Sequence, residues 1–143
     1  MHRQFDVLLV EDSPADIFLV EAAFEAAGTS IALHIARDGE EALDFVRNEG
    51  AFSAAPRPRL ILLDLNLPRI NGFQVLEALK SSADTRTIPV VVLTTSRAPE
   101  DIQQAYALLA SSYVTKPSGL EELVEFARLL EQYWFRTAEL PAR

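Results

Sequence analysis

Short apolar runs along the chain end, one after another, in polar or charged side chains. Residues 60–63 (L-I-L-L) end in Asp64, and residues 7–10 end in the pair Glu11-Asp12. Residues 90–93 end in Thr94-Thr95, and the short run 113–115 ends in Lys116-Pro117. The 60–63 run has no polar alternation, which is the pattern of a strand buried on both faces. Strand-like and helix-like segments alternate five times, so the expected fold is α/β: a doubly wound, five-stranded parallel sheet with helices on both faces. The predicted strands are 6–10, 31–36, 60–63, 89–93 and 112–115.

Helix boundaries are marked by capping residues. Ser13 is placed to cap a helix with Pro14 at its first position and Asp16 two residues on, and Gly28 closes it. Asp38 before Gly39-Glu40-Glu41 and Ser118 before Gly119-Leu120-Glu121 both have capping-box spacing. The third and fourth helices are expected over residues 72–81 and 99–109. An Ala/Pro/Arg-rich loop at 51–59 leads into the Asp64 strand and does not divide two domains.

In an open parallel sheet, ligands bind beyond the carboxyl ends of the strands. Four of the predicted strands deliver Glu11, Asp12, Asp64, a threonine and Lys116 to that edge. Taken singly, these are ordinary loop acids, strand-end hydroxyls and a surface lysine. Placed together, the carboxylates would repel and raise one another's pKa unless a cation neutralised them. The all-oxygen set suits Mg²⁺, a hard ion with ligands at about 2.0–2.1 Å. A Lys-Pro junction fixes the backbone, as a trans or a cis bond, and would aim the Lys116 ammonium inward, where its point charge suits a phosphoryl oxygen.

Composition narrows the function further. The chain has 143 residues, enough for one core and hardly two. It lacks cysteine, which removes disulfides, thiolate metal sites and a cysteine nucleophile. A net charge of −8 argues against a nucleic-acid footprint. With neither a signal-peptide pattern nor an apolar run long enough for a membrane span, a cytoplasmic location is expected.

The motifs V-E-D-S at 10–13, L-D-L-N-L-P at 63–68 with Asn71-Gly72, L-T-T-S at 93–96 and Y-V-T-K-P at 113–117 occur in this order. Together they resemble the response-regulator receiver domain, a flavodoxin-like fold, over nearly the whole chain. The resemblance implies that residues 1–143 form one receiver domain with an extended last helix and no output domain. It also implies that Asp64 accepts a phosphoryl group from a sensor histidine kinase or a small phosphodonor. Asp12 and Asp64 would bind Mg²⁺ directly, Glu11 through water, and Asn66 by its backbone carbonyl. Thr94 and Lys116 would hold phosphoryl oxygens, and Tyr113 would follow the movement of Thr94. Three positions depart from the common pattern: Leu109-Ala110 where Gly-Ala is frequent, Ser112 where glycine is frequent, and Asn71 where aspartate is common. The T-T-S motif, the 51–59 loop and the aromatic tail 133–135 are similar to the single-domain regulators that accompany bacterial phytochromes.

Two other readings stand beside this one. One is a degenerate receiver used as a phosphorylation-independent interaction module. The other is an aspartate-nucleophile phosphatase of the haloacid-dehalogenase type, which needs a second carboxylate two residues after the nucleophile, where this chain has Asn66.

Two partner surfaces follow from helical wheels. On the first helix, Val20, Ala23, Phe24 and Ala27 share one face, while Phe18, Ala22 and Ala26 fall with Glu21 and Glu25 on the other. Receivers present that helix to the kinase, so Phe18 and Ala22 are candidate docking residues. On the last helix, Leu120, Leu123, Val124, Ala127, Leu130 and Trp134 form the stripe expected to face the sheet. Phe126, Leu129 and Tyr133 form a second stripe, which either supports a homodimer or is covered by the tail at Leu140-Pro141.

Overall fold

The computed structural model describes residues 4–141, and the first three and last two residues of the expected domain lie outside it. Its strands are β1 (Phe5–Val10), β2 (Ile31–Ala36), β3 (Leu60–Leu63), β4 (Val90–Thr94) and β5 (Ser112–Thr115). The helices are α1 (Pro14–Ala27), α2 (Gly39–Arg47), α3 (Gly72–Lys80), α4 (Pro99–Ala107) and α5 (Leu120–Trp134). All strands pair in parallel in the order β2-β1-β3-β4-β5, which is the expected doubly wound sheet. β4 is displaced by one residue, from 89–93 to Val90–Thr94, because Pro89 offers no N–H to the ladder.

Strand order reverses between β1 and β3, so a crevice opens where Val10 pairs with Leu63. Alternate residues of the central strands feed two cores. Leu8, Val10, Ile61, Leu63, Val90 and Val92 pack with Ala42 and Phe45 of α2, Leu76 and Leu79 of α3, and Ala105 of α4. Val7, Leu9, Leu60, Leu62 and Val91 pack against Val20, Ala23 and Phe24 of α1 and Leu123, Ala127 and Leu130 of α5. Burial of β3 on both faces is therefore what its unbroken apolar run encodes.

The caps follow the sequence in part. Ser13 Oγ accepts from Asp16 N at 3.3 Å, and Gly28 ends α1 at φ 67°. Asp38 accepts from Glu41 N, while the Glu41 carboxylate accepts from Arg37 N, one residue outside a capping box. Ser118 does not cap α5: Gly119 holds that position without a side-chain bond. The complete capping box is at α3, where Asn71 N donates to Gln74 Oε1 at 2.8 Å and Gln74 N donates to Asn71 Oδ1 at 3.0 Å. Asparagine in place of aspartate thus serves as a cap. The 51–59 loop opens within a 3-10 turn at Gly50–Phe52, and Asn48 Nδ2 ties it down by donating to the carbonyls of Phe52 and Ala55.

The α1 wheel holds: Val20, Ala23 and Phe24 are buried and Phe18 is 71% exposed. On α5 the stripes are redrawn. Leu120 is 45% exposed instead of sheet-facing, because it is the first helical residue and lies beyond the edge of the packed core. Phe126 packs partly onto that core, whereas Leu129 and Tyr133 are exposed. The tail does not cover them. Phe135 stacks on Phe5 with ring centroids 4.4 Å apart, and Leu140 and Pro141 line a cleft with residues 56–59 and 87–89 at the amino ends of the strands.

α4 stops at Ala107, two residues before the expected end. Leu109 N donates to Tyr106 O and Ala110 N to Ala105 O, the paired bonds of a Schellman stop, with Leu109 in the left-handed region at φ 74°. A branched side chain there costs about 1–2 kcal/mol, while glycine costs about 0.5–1 kcal/mol of chain entropy. Leu109 is exposed and contributes little packing. Leu109→Gly is therefore expected to raise stability by about 0.5–1 kcal/mol in urea titration. Unchanged or lower stability would show that no strain is stored at the turn.

Candidate functional site

The carboxyl ends of β1, β3, β4 and β5 are locked to their neighbours by backbone bonds. Asp64 N donates to Val10 O at 3.1 Å, and Lys116 N donates to Thr94 O at 2.7 Å. These bonds place Glu11, Asp64, Thr94 and Lys116 side by side. Glu11 and Asp64 are buried, Asp12 is exposed, and oxygen atoms of all three acids lie within 4.8 Å of one another. Asn66 N donates to Asp64 Oδ1 at 3.3 Å, so the turn after β3 orients the carboxylate.

That turn is closed by Gly72. Its N–H donates to Leu65 O, and a Cβ built there would lie 2.4 Å from Asp64 O and 2.6 Å from Leu65 Cα. Only glycine lets the start of α3 approach the backbone of Asp64 this closely.

Lys116 Nζ donates to Glu11 Oε1 at 2.6 Å and to Asp16 Oδ2 at 3.0 Å, and stands 3.6 Å from Asp64 Oδ2. Glu11 accepts with its other oxygen from Ser13 N. Burial would push the lysine pKa down, but the Glu11 hydrogen bond, the Asp64 charge and the Asp16 hydrogen bond reverse this and raise it. The ammonium therefore stays charged. Burial and the neighbouring Asp64 push the Glu11 carboxyl above its ordinary value, against the opposing Lys116 bond. The inward aim of Lys116 is as expected, but it is reached without a cis bond, since the described residues contain none.

Asp16 is the one member of this group that sequence reasoning did not place here. Its position in the first turn of α1 reads as a helix-start acid, and it is indeed one. Its bond to Lys116, a hundred residues along the chain, leaves no local signal in the sequence.

Thr94 is fully buried, and its Oγ1 has no hydrogen-bond partner among the described residues. Such a group is costly unless a ligand or rearrangement satisfies it. Thr95 beside it is exposed. The Tyr113 hydroxyl donates to Ser96 O at 2.9 Å, and Ser96 Oγ donates to Asp101 Oδ2 at 2.6 Å, so Tyr113 fastens the loop that follows Thr94. The expected partner residues lie elsewhere. Phe18 and Ala22 border a shallow cleft with Glu21, Glu25 and Ala26 on the outer face of α1, and Phe126, Leu129 and Tyr133 are on α5.

The donor set fits a hard divalent cation: three carboxylates of one crevice, all oxygen, with no sulfur or imidazole among the three. Buried like charges, a partly buried ammonium and a hydroxyl unpartnered among the described residues, all at one sheet edge, define a site for an anionic group beside a cation.

The chain belongs to the response regulator receiver domain family, whose model matches residues 7–128. It is 43% identical over 136 residues to the response regulator Rcp1 of Synechocystis, covering 95% of this chain and 92% of that protein. The crystal structure of Rcp1 in its Mn(2+)-bound form has 42% identity and a TM-score of 0.86, covering 96% of this chain and 99% of that one. The phosphorylated cyanobacterial phytochrome response regulator RcpA has 41% identity and a TM-score of 0.90, covering 98% and 100% of the two chains. A response regulator in red light signaling of R. palustris, RPA3017, has 34% identity and a TM-score of 0.92, covering 97% and 99%. The protein is a two-component response regulator, of a family that works with histidine kinases, and the phosphatase and degenerate readings are not favoured.

The raised pKa of Glu11 gives the site a pH signature. Without a cation, folding favours the protonated carboxyl. Its contribution to stability is full below the ordinary value of 4.5 and is lost as pH rises through the folded value. A cation held by Glu11 would bind the ionised form and compete with that proton. Added Mg²⁺ is expected to raise the melting temperature more at pH 7.5 than at pH 5, read by calorimetry. Equal increments at the two pH values would remove Glu11 from the cation site.

Proposed function

We propose that the chain acts as a phosphoacceptor of a two-component system, with Asp64 as the accepting residue and Mg²⁺ as the cation. One observation carries the reading: Asp64 is buried at the sheet edge between an acidic pair, a charged lysine and a threonine whose hydroxyl has no partner among the described residues. An Asp64 carboxylate oxygen forms the new O–P bond while the bond from phosphorus to the phosphohistidine nitrogen breaks, and its electron pair returns to the imidazole. Asp12 and Asp64, with Glu11 through water and the Asn66 carbonyl, would hold Mg²⁺, which would supply charge neutralisation for the transferring group. Lys116 offers an N–H to one phosphoryl oxygen, and the Thr94 hydroxyl to another.

The added charge, roughly −1.5 to −2 by analogy with other phosphorylated side chains, draws Thr94 toward Asp64. The loop fastened by Tyr113 then moves with it, which biases the α4–β5–α5 face between two arrangements. The likeness over nearly the whole chain to RcpA, a cyanobacterial phytochrome response regulator, supports a bacterial phytochrome kinase as the donor. The exposed Phe18 face, with Ala22, suits kinase docking. We read the protein as a cytoplasmic regulator.

Asp64→Asn is expected to abolish Mg²⁺-dependent labelling by acetyl phosphate in mass spectrometry while the far-ultraviolet spectrum is unchanged. Labelling of that variant would overturn the assignment of Asp64.

The exposed Leu129 and Tyr133, at 57% and 56%, with Phe126 at their edge, support a homodimer through α5. Leu129→Glu with Tyr133→Glu is expected to give a monomer that still labels. A monomeric unmutated protein at micromolar concentration, with and without acetyl phosphate, in light scattering would dispose of the dimer.

A further inference from the structure

The Lys116 ammonium has three N–H bonds to offer. Two are committed, to Glu11 at 2.6 Å and Asp16 at 3.0 Å, and the separation to Asp64 is 3.6 Å, longer than a hydrogen bond. The two committed partners are unlike. Glu11 is buried, with its second oxygen held by Ser13 N, and belongs to the acid cluster that suits a cation. Asp16 stands outside that cluster, its side chain is 40% exposed, and water can replace the lysine as its partner at little cost.

We propose that Asp16 is a positioning residue that holds Lys116 back from the acceptor, so that phosphorylation of Asp64 proceeds by exchange of the Lys116–Asp16 bond for a Lys116–phosphoryl bond. The inference rests on the phosphoacceptor reading of Asp64. Two effects act in the same direction. The bond to Asp16 stabilises the unphosphorylated site, and the Asp16 charge repels the incoming phosphoryl group. Asp16 therefore restrains the reaction. Its bond is the one released because the Glu11 alternative would strand a buried carboxylate.

Asp16 also sits in the first turn of α1, where an acid favours the helix. A purely structural role of that kind would show in melting temperature and leave the reaction rate alone, so the test reads both. The probe is acetyl phosphate at saturating Mg²⁺. A carboxylate oxygen of Asp64 bonds to phosphorus, the bond from phosphorus to the acetyl oxygen breaks, and acetate leaves with the electron pair. The rate of acyl phosphate formation is followed by mass spectrometry for the unmutated protein and for Asp16→Asn, Asp16→Ala and Asp16→Glu.

Asp16→Asn and Asp16→Ala are expected to label roughly fivefold faster, the upper end of what a half-exposed ion pair supplies. Asp16→Glu, which keeps the charge, is expected to return the rate toward that of the unmutated protein. If the unmutated protein labels and Asp16→Asn labels no faster, the inference is wrong and the acceptor reading stands. If the unmutated protein itself does not label, the acceptor reading has failed and takes this inference with it.

Discussion

Everything at the sheet edge depends on keeping like charges together where water is scarce. Glu11 and Asp64 are buried with their oxygens close to those of Asp12, and such an arrangement is unstable without a compensating cation. Lys116 supplies part of that compensation. It can do so because β5 ends at Thr115, so that the Lys116 N–H reaches the carbonyl of Thr94 and the side chain turns toward β1. The acids come from the two strands that flank the reversal of strand order, so the crowding is a product of topology as much as of local sequence. Removing the lysine partner would leave a buried carboxylate unpaired, the costlier of the two ways to alter an ion pair.

The two cores hold this edge in register. Because β3 is buried on both sides, residues one apart report to opposite layers: Leu62 to α1 and α5, Leu63 to α2, α3 and α4. A shift of one residue would exchange every contact. Asp64 is thus fixed by the packing of the strand before it, and Gly72 fixes it from the other side by bringing α3 against its backbone. The position of the Asp64 carboxylate is therefore overdetermined.

Residue order made much of this visible. The runs before Glu11, Asp64 and Thr94 ended where the strands ended, within one residue, because strands buried on both faces leave no polar ambiguity. Ser13, Asp38 and Gly28 were legible as caps because their chemistry is local. What escaped depended on through-space partners. The Asp16–Lys116 bond spans a hundred residues of sequence, and nothing nearby marks it. Ser118 has the spacing of a cap, yet the helix starts after Gly119, since the spacing rule says nothing about which of two adjacent residues leaves helical geometry. The end of α4 was overrun because leucine at 109 continues an apolar pattern while its backbone has already turned left-handed. On α5, a wheel separates faces but cannot say how far the sheet extends, so Leu120 was assigned to a surface that does not reach it.

The stack of Phe5 on Phe135 lies at the opposite pole from this chemistry. It joins the start of β1 to the end of α5, and Arg136 adds a guanidinium 5.8 Å from the centre of the Phe5 ring. The two ends of the folded unit therefore leave it from one corner, under the sheet. A fluorescent protein, an affinity handle or a second module joined beside Phe5 or Pro141 would sit at the amino ends of the strands, opposite the crevice. The architecture is suited to being fused to other proteins with its acidic edge left open to solution.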